Sequence, residues 1–139
     1  MPEKMQLEQA IDEWRDSHKF LRVLETAGDF SPCAHFVKEW EGPEQPFRML
    51  WISRRYEEIW KKSASEYQGK TDFDVWSKEC AEQFMIHDHE CFRLRKAIWS
   101  IEDADGIPCA VCKYPVDTPG FRGIAGLAIP VNEIRPVLP

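Results

Sequence analysis

Two stretches carry the residues best equipped for chemistry. His87-Asp88-His89 lies inside Lys78 to Lys96, whose apolar residues recur at helical spacing. Cys109-Ala-Val-Cys112-Lys113 lies inside Ile107 to Val116, which reads as a strand. Positions two apart on a helix point about 200° apart, so His87 and His89 cannot chelate one ion. His87 and Asp88 diverge by about 100°, a poor setting for the acid–base pair of a small α+β enzyme. No third catalytic group accompanies them, and the other ligands that a phosphodiesterase-type His-Asp metal motif needs are missing. His87 shares a helix line with Cys80, Phe84 and Cys91, so it can face an interior pocket.

Asp88 interrupts the apolar stripe Ala81, Phe84, Met85, Cys91, Phe92. A buried carboxylate must be paired or protonated, which leaves two readings: a structural acceptor capping a neighbouring loop, or a contact to a ligand. Cys109 and Cys112 stand three apart on a strand and so point to opposite faces, and no second cysteine pair completes four zinc ligands. The five cysteines are odd in number and irregularly spaced, as expected of free thiols in a reducing compartment. Lys113 suits an ion pair, a snorkelling position at a sheet edge, or a contact to an anionic ligand.

These residues need elements to place them. The chain has 139 residues, 43% of them hydrophobic with six tryptophans, enough for one domain and a short appendage. Its formal charge of −6, without a basic run, lacks the footprint of a nucleic-acid or anionic-lipid binder. No apolar stretch reaches the roughly 20 residues of a membrane span, and the N-terminus carries no signal-peptide pattern, so the expected location is cytoplasmic.

Residues 5–26 predict an amphipathic helix on Leu7, Trp14 and Leu21, ending near Gly28. It can pack on its own domain or pair with a second copy. Strands are predicted over His35 to Trp40 and Phe47 to Ile52. Ser53 then caps a short helix carrying Tyr56, Ile59 and Trp60 on one face. Ser63-Ala-Ser-Glu66 has capping-box spacing for a turn stopping at Gly69, and Thr71 or Asp72 caps another through Trp76. Ser77 opens the helix Lys78 to Lys96. Three strands follow, Ile98 to Asp103, Ile107 to Val116 and Ile124 to Val131, the first two joined by the hairpin signal Asp105-Gly106. Two strands, short helices, then three antiparallel strands describe an α+β domain with one sheet face covered by helices and a pocket between.

With this order, several phrases resemble the PAS family, particularly its bacterial sensory-box members. They are Arg48-Met-Leu-Trp-Ile-Ser-Arg-Arg-Tyr56, Glu66-Tyr-Gln-Gly-Lys-Thr-Asp72 with Trp76, Ala81 to Asp88, Lys113-Tyr-Pro-Val116, and Arg122-Gly-Ile-Ala-Gly-Leu-Ala-Ile129. The resemblance implies a five-stranded antiparallel sheet whose first two strands sit centrally, beside the last. It divides the chain into an N-terminal helix (1–28), a sensor domain (29–134) and a tail (135–139). It further implies a signal-transducing module that binds a small ligand or a protein partner without catalysis of its own. Residues 5–26 would mediate a homodimer, and the output would be a partner such as a histidine kinase or diguanylate cyclase. The sequence ends without such a domain, as expected of an excised sensor or of one that relays by binding. Haem-bearing members place an axial histidine on the long helix, which makes His87 the candidate in a haem sensor of gas or redox state. A flavin light sensor would need an Asn-Cys-Arg-Phe-like helical run, and nothing similar occurs. The pocket candidates are Trp51, Tyr56, Trp60, Trp76, Phe84, His87, Asp88, Cys91, Trp99, Val111, Lys113 and Leu127. Gly69, Gly123 and Gly126 allow a sharp exit and close strand approaches.

Overall fold

Backbone chemistry sets the element boundaries in this computed structural model, which describes residues 31–135 and Val137. The predicted helix at 5–26, the dimerisation ascribed to it, and most of the tail lie outside the described residues. Strands β1 (Ala34–Glu39) and β2 (Arg48–Ile52) form an antiparallel pair. Four helices follow: α1 (Arg54–Trp60), α2 (Ala64–Tyr67), α3 (Asp72–Val75) and α4 (Lys78–Leu94). Strands β3 (Ile98–Ala104), β4 (Ile107–Thr118) and β5 (Phe121–Pro130) then complete one antiparallel sheet of order β2-β1-β5-β4-β3. The expectation of two central leading strands is corrected: β1 lies beside β5, but β2 is an edge. Its outer side is not bare, because Met49 exchanges backbone hydrogen bonds of 2.8 Å with Gly69 and Lys70.

The caps explain the helix starts. Ser53 Oγ accepts from the Tyr56 and His35 amides, tying the start of α1 to β1. Ser77 Oγ accepts from the Cys80 amide, and Thr71 forms a reciprocal capping box with Asp74. Ser63 precedes α2 as predicted, but its hydroxyl bonds Ser65 and the freed Ala64 amide donates to Glu57 instead. Helix α4 stops at Leu94, two residues short of the prediction, because Arg95 turns left-handed at φ 56° and its amide closes on the Cys91 carbonyl. Asp105 and Gly106, at φ 59° and 81°, make the tight turn between β3 and β4.

Side chains alternate across the sheet. Phe36, Met49, Ile52, Cys109, Val111, Ile124 and Ala128 join Tyr56, Trp60, Tyr67, Trp76, Phe84 and Phe92 in the main core under the helices. Val37, Phe121 and Ala125 form a smaller cluster on the other face. A register shift between Val37 and Lys38 makes a bulge in the β1–β2 pairing, and Leu50 and Trp51 both pack on that smaller cluster. Two glycines let backbones meet: a Cβ at Gly123 would stand 2.0 Å from the Lys38 carbonyl oxygen, and one at Gly126 2.5 Å from the Phe36 ring.

Candidate functional site

Between the helices and the inner sheet face lies a cavity. Its apolar lining is Phe36, Tyr56, Trp60, Trp76, Phe84, Ala104, Cys109, Val111 and Ala128, and its polar lining is Lys38, Glu102 and Lys113. About 30 Å³ is open to the centre of a water-sized sphere, and the unfilled space out to the mouth is about 370 Å³. The aromatic walls are held by hydrogen bonds as well as packing. Trp60 Nε1 donates to the Ala104 carbonyl at 3.1 Å, and Trp76 Nε1 to the Tyr67 hydroxyl at 2.7 Å. Edge-to-face contacts link Trp76 with Trp60 and Phe84.

The polar end belongs to a buried chain of alternating charge. Lys38 Nζ donates to Asp72 Oδ2 at 2.7 Å and to Asp88 Oδ2 at 2.9 Å. Lys113 Nζ donates to Asp88 Oδ1 at 2.6 Å and to the Phe84 carbonyl at 3.3 Å, and pairs with Glu102 at 2.9 Å. His87 Nδ1 lies 2.6 Å from Glu102 Oε2, extending the chain toward the surface. At the other end the Tyr67 hydroxyl donates to Asp72. Burial disfavours the charged form of Lys38, yet the two flanking carboxylates, Asp72 and Asp88, hold its ammonium above its usual range. Burial likewise opposes the Asp88 carboxylate, and Lys113 and Lys38 overcome it and hold Asp88 below its usual value. Burial, reinforced by Asp72, pushes the Tyr56 phenol upward.

Six of the twelve predicted pocket residues line the cavity: Tyr56, Trp60, Trp76, Phe84, Val111 and Lys113. Asp88 sits behind the two lysines; it neither caps a loop nor lines the cavity, and its partners lie on β1 and β4. Lys113 makes the expected ion pair, but from an interior strand rather than an edge, and oxygens of Asp88, Glu102 and Phe84 surround its ammonium. Asp72, expected as a possible cap, spends its carboxylate on Lys38 and Tyr67 while Thr71 caps α3. Trp51, Trp99 and Leu127 are misplaced by the sequence reading. Trp51 packs on the outer cluster, and Trp99 and Leu127 pair with opposite sides of Cys112 on that same outer face. Trp99 is 66% exposed. Cys91 is buried but outside the lining; its thiol contacts the Lys96 carbonyl, and burial pushes it up to about 11.

His87 is also outside the lining, its ring committed to Glu102. The side chains present therefore do not fit a haem: the histidine expected as axial ligand does not reach the cavity, and the space is at the low end for small-molecule sites. Nor do His87 and Asp88 form an acid–base pair, since Glu102 holds one and two lysines the other. No cluster of three or more metal-ligating residues occurs among the described residues.

Phe36, Lys38, Glu102, Ala104, Cys109 and Ala128 were not among the predicted pocket residues, Cys109 having been weighed only as a zinc ligand. Alternation was the available signal: Lys38 falls in step with Ala34 and Phe36, and Glu102 in step with Ser100 and Ala104, on the inner face.

Comparison with solved structures finds the same architecture in proteins of distant sequence. A PAS domain from Colwellia psychrerythraea is 11% identical, with TM-score 0.62, over 83% of this chain and 99% of that one. VqmA bound to DPO is 18% identical with TM-score 0.60, over 78% of this chain and 57% of that one. The blue-light activated histidine kinase EL346 of Erythrobacter litoralis is 12% identical with TM-score 0.55, over 76% of this chain and 35% of that one. This chain thus spans only part of the latter two proteins. A search of curated proteins finds no match. A family model described as PAS fold matches residues 44–135, about two thirds of the chain. The sheet order, the helices on one face and that match agree, and the chain belongs to the PAS family, whose domains are signalling modules.

Proposed function

We propose that this domain is a sensor that receives a small molecule in the cavity between the helices and the sheet, without catalysis of its own. One observation carries the reading: an aromatic-walled cavity, closed at one end by Lys38, Lys113 and Glu102, lies where α1, α3 and α4 meet the sheet. Such a site is mostly apolar with a few placed polar groups, as small-molecule sites are. Cys109 is the one thiol in the lining, and it is held as a neutral thiol: burial, then Glu102, pushes it up to about 11, and its Sγ donates to the Ile107 carbonyl at 3.5 Å. The similarity to VqmA bound to DPO supports a bound ligand, and that to a histidine kinase supports a kinase as the output partner, with a diguanylate cyclase as the other output we propose.

Occupancy can shift the domain between two packings only through a difference in affinity for them. The lining spans β1, β3, β4 and β5, so a ligand can bias the sheet, and through it the segment 5–26, which we assign to homodimerisation in a cytoplasmic bacterial signalling protein. The test is a visible spectrum of the purified protein beside mass analysis of a denatured extract. A colourless organic molecule released in proportion to protein is the expected result. A Soret band would overturn it in favour of a haem sensor, and a dimer releasing nothing would favour a protein–protein relay.

A further inference from the structure

The contacts of Glu102 all fall on one oxygen. Oε2 lies 2.6 Å from His87 Nδ1, accepts from Ser100 Oγ at 3.3 Å and pairs with Lys113 Nζ at 2.9 Å. Among the described residues, Oε1 receives no hydrogen bond. Glu102 is 3% exposed and lines the cavity. Every fully buried side-chain oxygen and nitrogen among the described residues has a partner, so Oε1 is open rather than sealed in, and an open oxygen on a cavity-lining carboxylate can accept from a ligand.

Charge and the walls agree on the kind of donor. The buried carboxylates Asp72, Asp88 and Glu102 outnumber the buried ammoniums Lys38 and Lys113 by one. Five rings line the cavity, those of Phe36, Tyr56, Trp60, Trp76 and Phe84, and ring faces attract cations. This cluster already takes ammonium groups: Lys38 Nζ lies 5.2 Å from the Phe36 centroid and 5.6 Å from that of Phe84, and Lys62 Nζ 4.3 Å from Trp76. An anion would find Lys113 already held by Asp88, Glu102 and the Phe84 carbonyl. With about 30 Å³ open to the centre of a water-sized sphere and about 370 Å³ unfilled out to the mouth, the space suits a small ligand.

We propose that the cavity selects a small organic cation whose N–H donates to Glu102 Oε1 while the aromatic walls hold its charge. This rests on the reading of the cavity as a ligand site. His87, on the outer side of Glu102, acts as a positioning residue: a fixed positive charge there would satisfy the carboxylate from behind and weaken the cavity's hold on a cation.

The test uses the intact chain and three probes of one shape, benzylammonium chloride, benzyl alcohol and sodium benzoate, titrated calorimetrically. Benzylammonium should bind at least about tenfold more tightly than benzyl alcohol, with benzoate weakest. Glu102→Gln should abolish that preference. Because Glu102 is buried, His87→Lys provides a second variant at a more exposed position. It should lower benzylammonium affinity about tenfold and leave benzyl alcohol unchanged. Benzoate binding as tightly as benzylammonium, or a preference surviving both substitutions, would overturn the cation assignment and leave the ligand site standing. Failure of all three probes to bind would overturn both.

Discussion

Asp88 is a carboxylate that the helix stripe marks as buried and that the fold neutralises from two strands at once. Lys38 reaches it from β1 and Lys113 from β4. Such a cluster is weak evidence of net stabilisation, but removing one member is expensive because the others stay buried and unmatched. Asp88→Ala should therefore cost about 3–5 kcal/mol in urea unfolding. The position of Asp88 was legible because a charge in an apolar stripe stands out. Lys38 and Glu102 were not, because one charge in an alternating strand looks like a solvent-facing residue until the strand's neighbours are known.

The same residues set the response to pH. Asp88 is held below its usual 3.8, so its contribution is complete above that value and fades as pH falls through the lowered one. Lys38 is held above 10.5, and its contribution is complete below that and lost as pH climbs through the raised value. Burial raises Cys91 and Cys109 from 9.0 to about 11, so each favours the fold below 9 and ceases to as the buried thiol ionises. Thermal melts should accordingly hold a plateau through neutral pH and decline from about pH 9 upward. A melting temperature rising between pH 9 and 11 would contradict these assignments.

Element boundaries were read well where a single residue decides them. Ser53, Thr71 and Ser77 cap their helices, and Asp105-Gly106 closes its hairpin, because each acts through local backbone geometry. Register was not readable. Trp99, Leu127 and Trp51 are large and apolar, and the sheet turns them outward because pairing fixes Ser100, Gly126 and Ile52 inward. Glycine substitutions separate these two kinds of constraint. Gly69 needs only its left-handed φ of 79°, with nothing within 4 Å, so Gly69→Ala should cost about 1 kcal/mol. Gly123→Ala drives a methyl into the β1 backbone and should cost more, about 3 kcal/mol. Equal midpoints for the two variants in urea would refute the close β1–β5 approach as the reason for Gly123.

At the scale of the whole molecule, the order of elements and the phrases spread along it were enough to identify the family, because a PAS sheet is specified by its sequence of strands and helices. The division of labour between its faces was not. The inner face holds the cavity and the charge chain, while the outer face carries Trp51, Tyr114 and Val116 beside its small cluster, with Trp99 and Ile101 exposed at 66% and 65%. That asymmetry connects a ligand on one side with a surface on the other through a sheet only one layer thick.

The central claim is that the inner cavity receives a small molecule. Ala128 lines it and is 5% exposed, so Ala128→Leu fills the space from the sheet side with a side chain that needs no polar partner. The most direct measurement is native mass spectrometry of the natural chain beside this variant, with circular dichroism to confirm that both are folded. The account predicts a bound organic mass on the natural chain that the filled variant lacks. The same mass retained by the folded variant, or none on either protein, would contradict it.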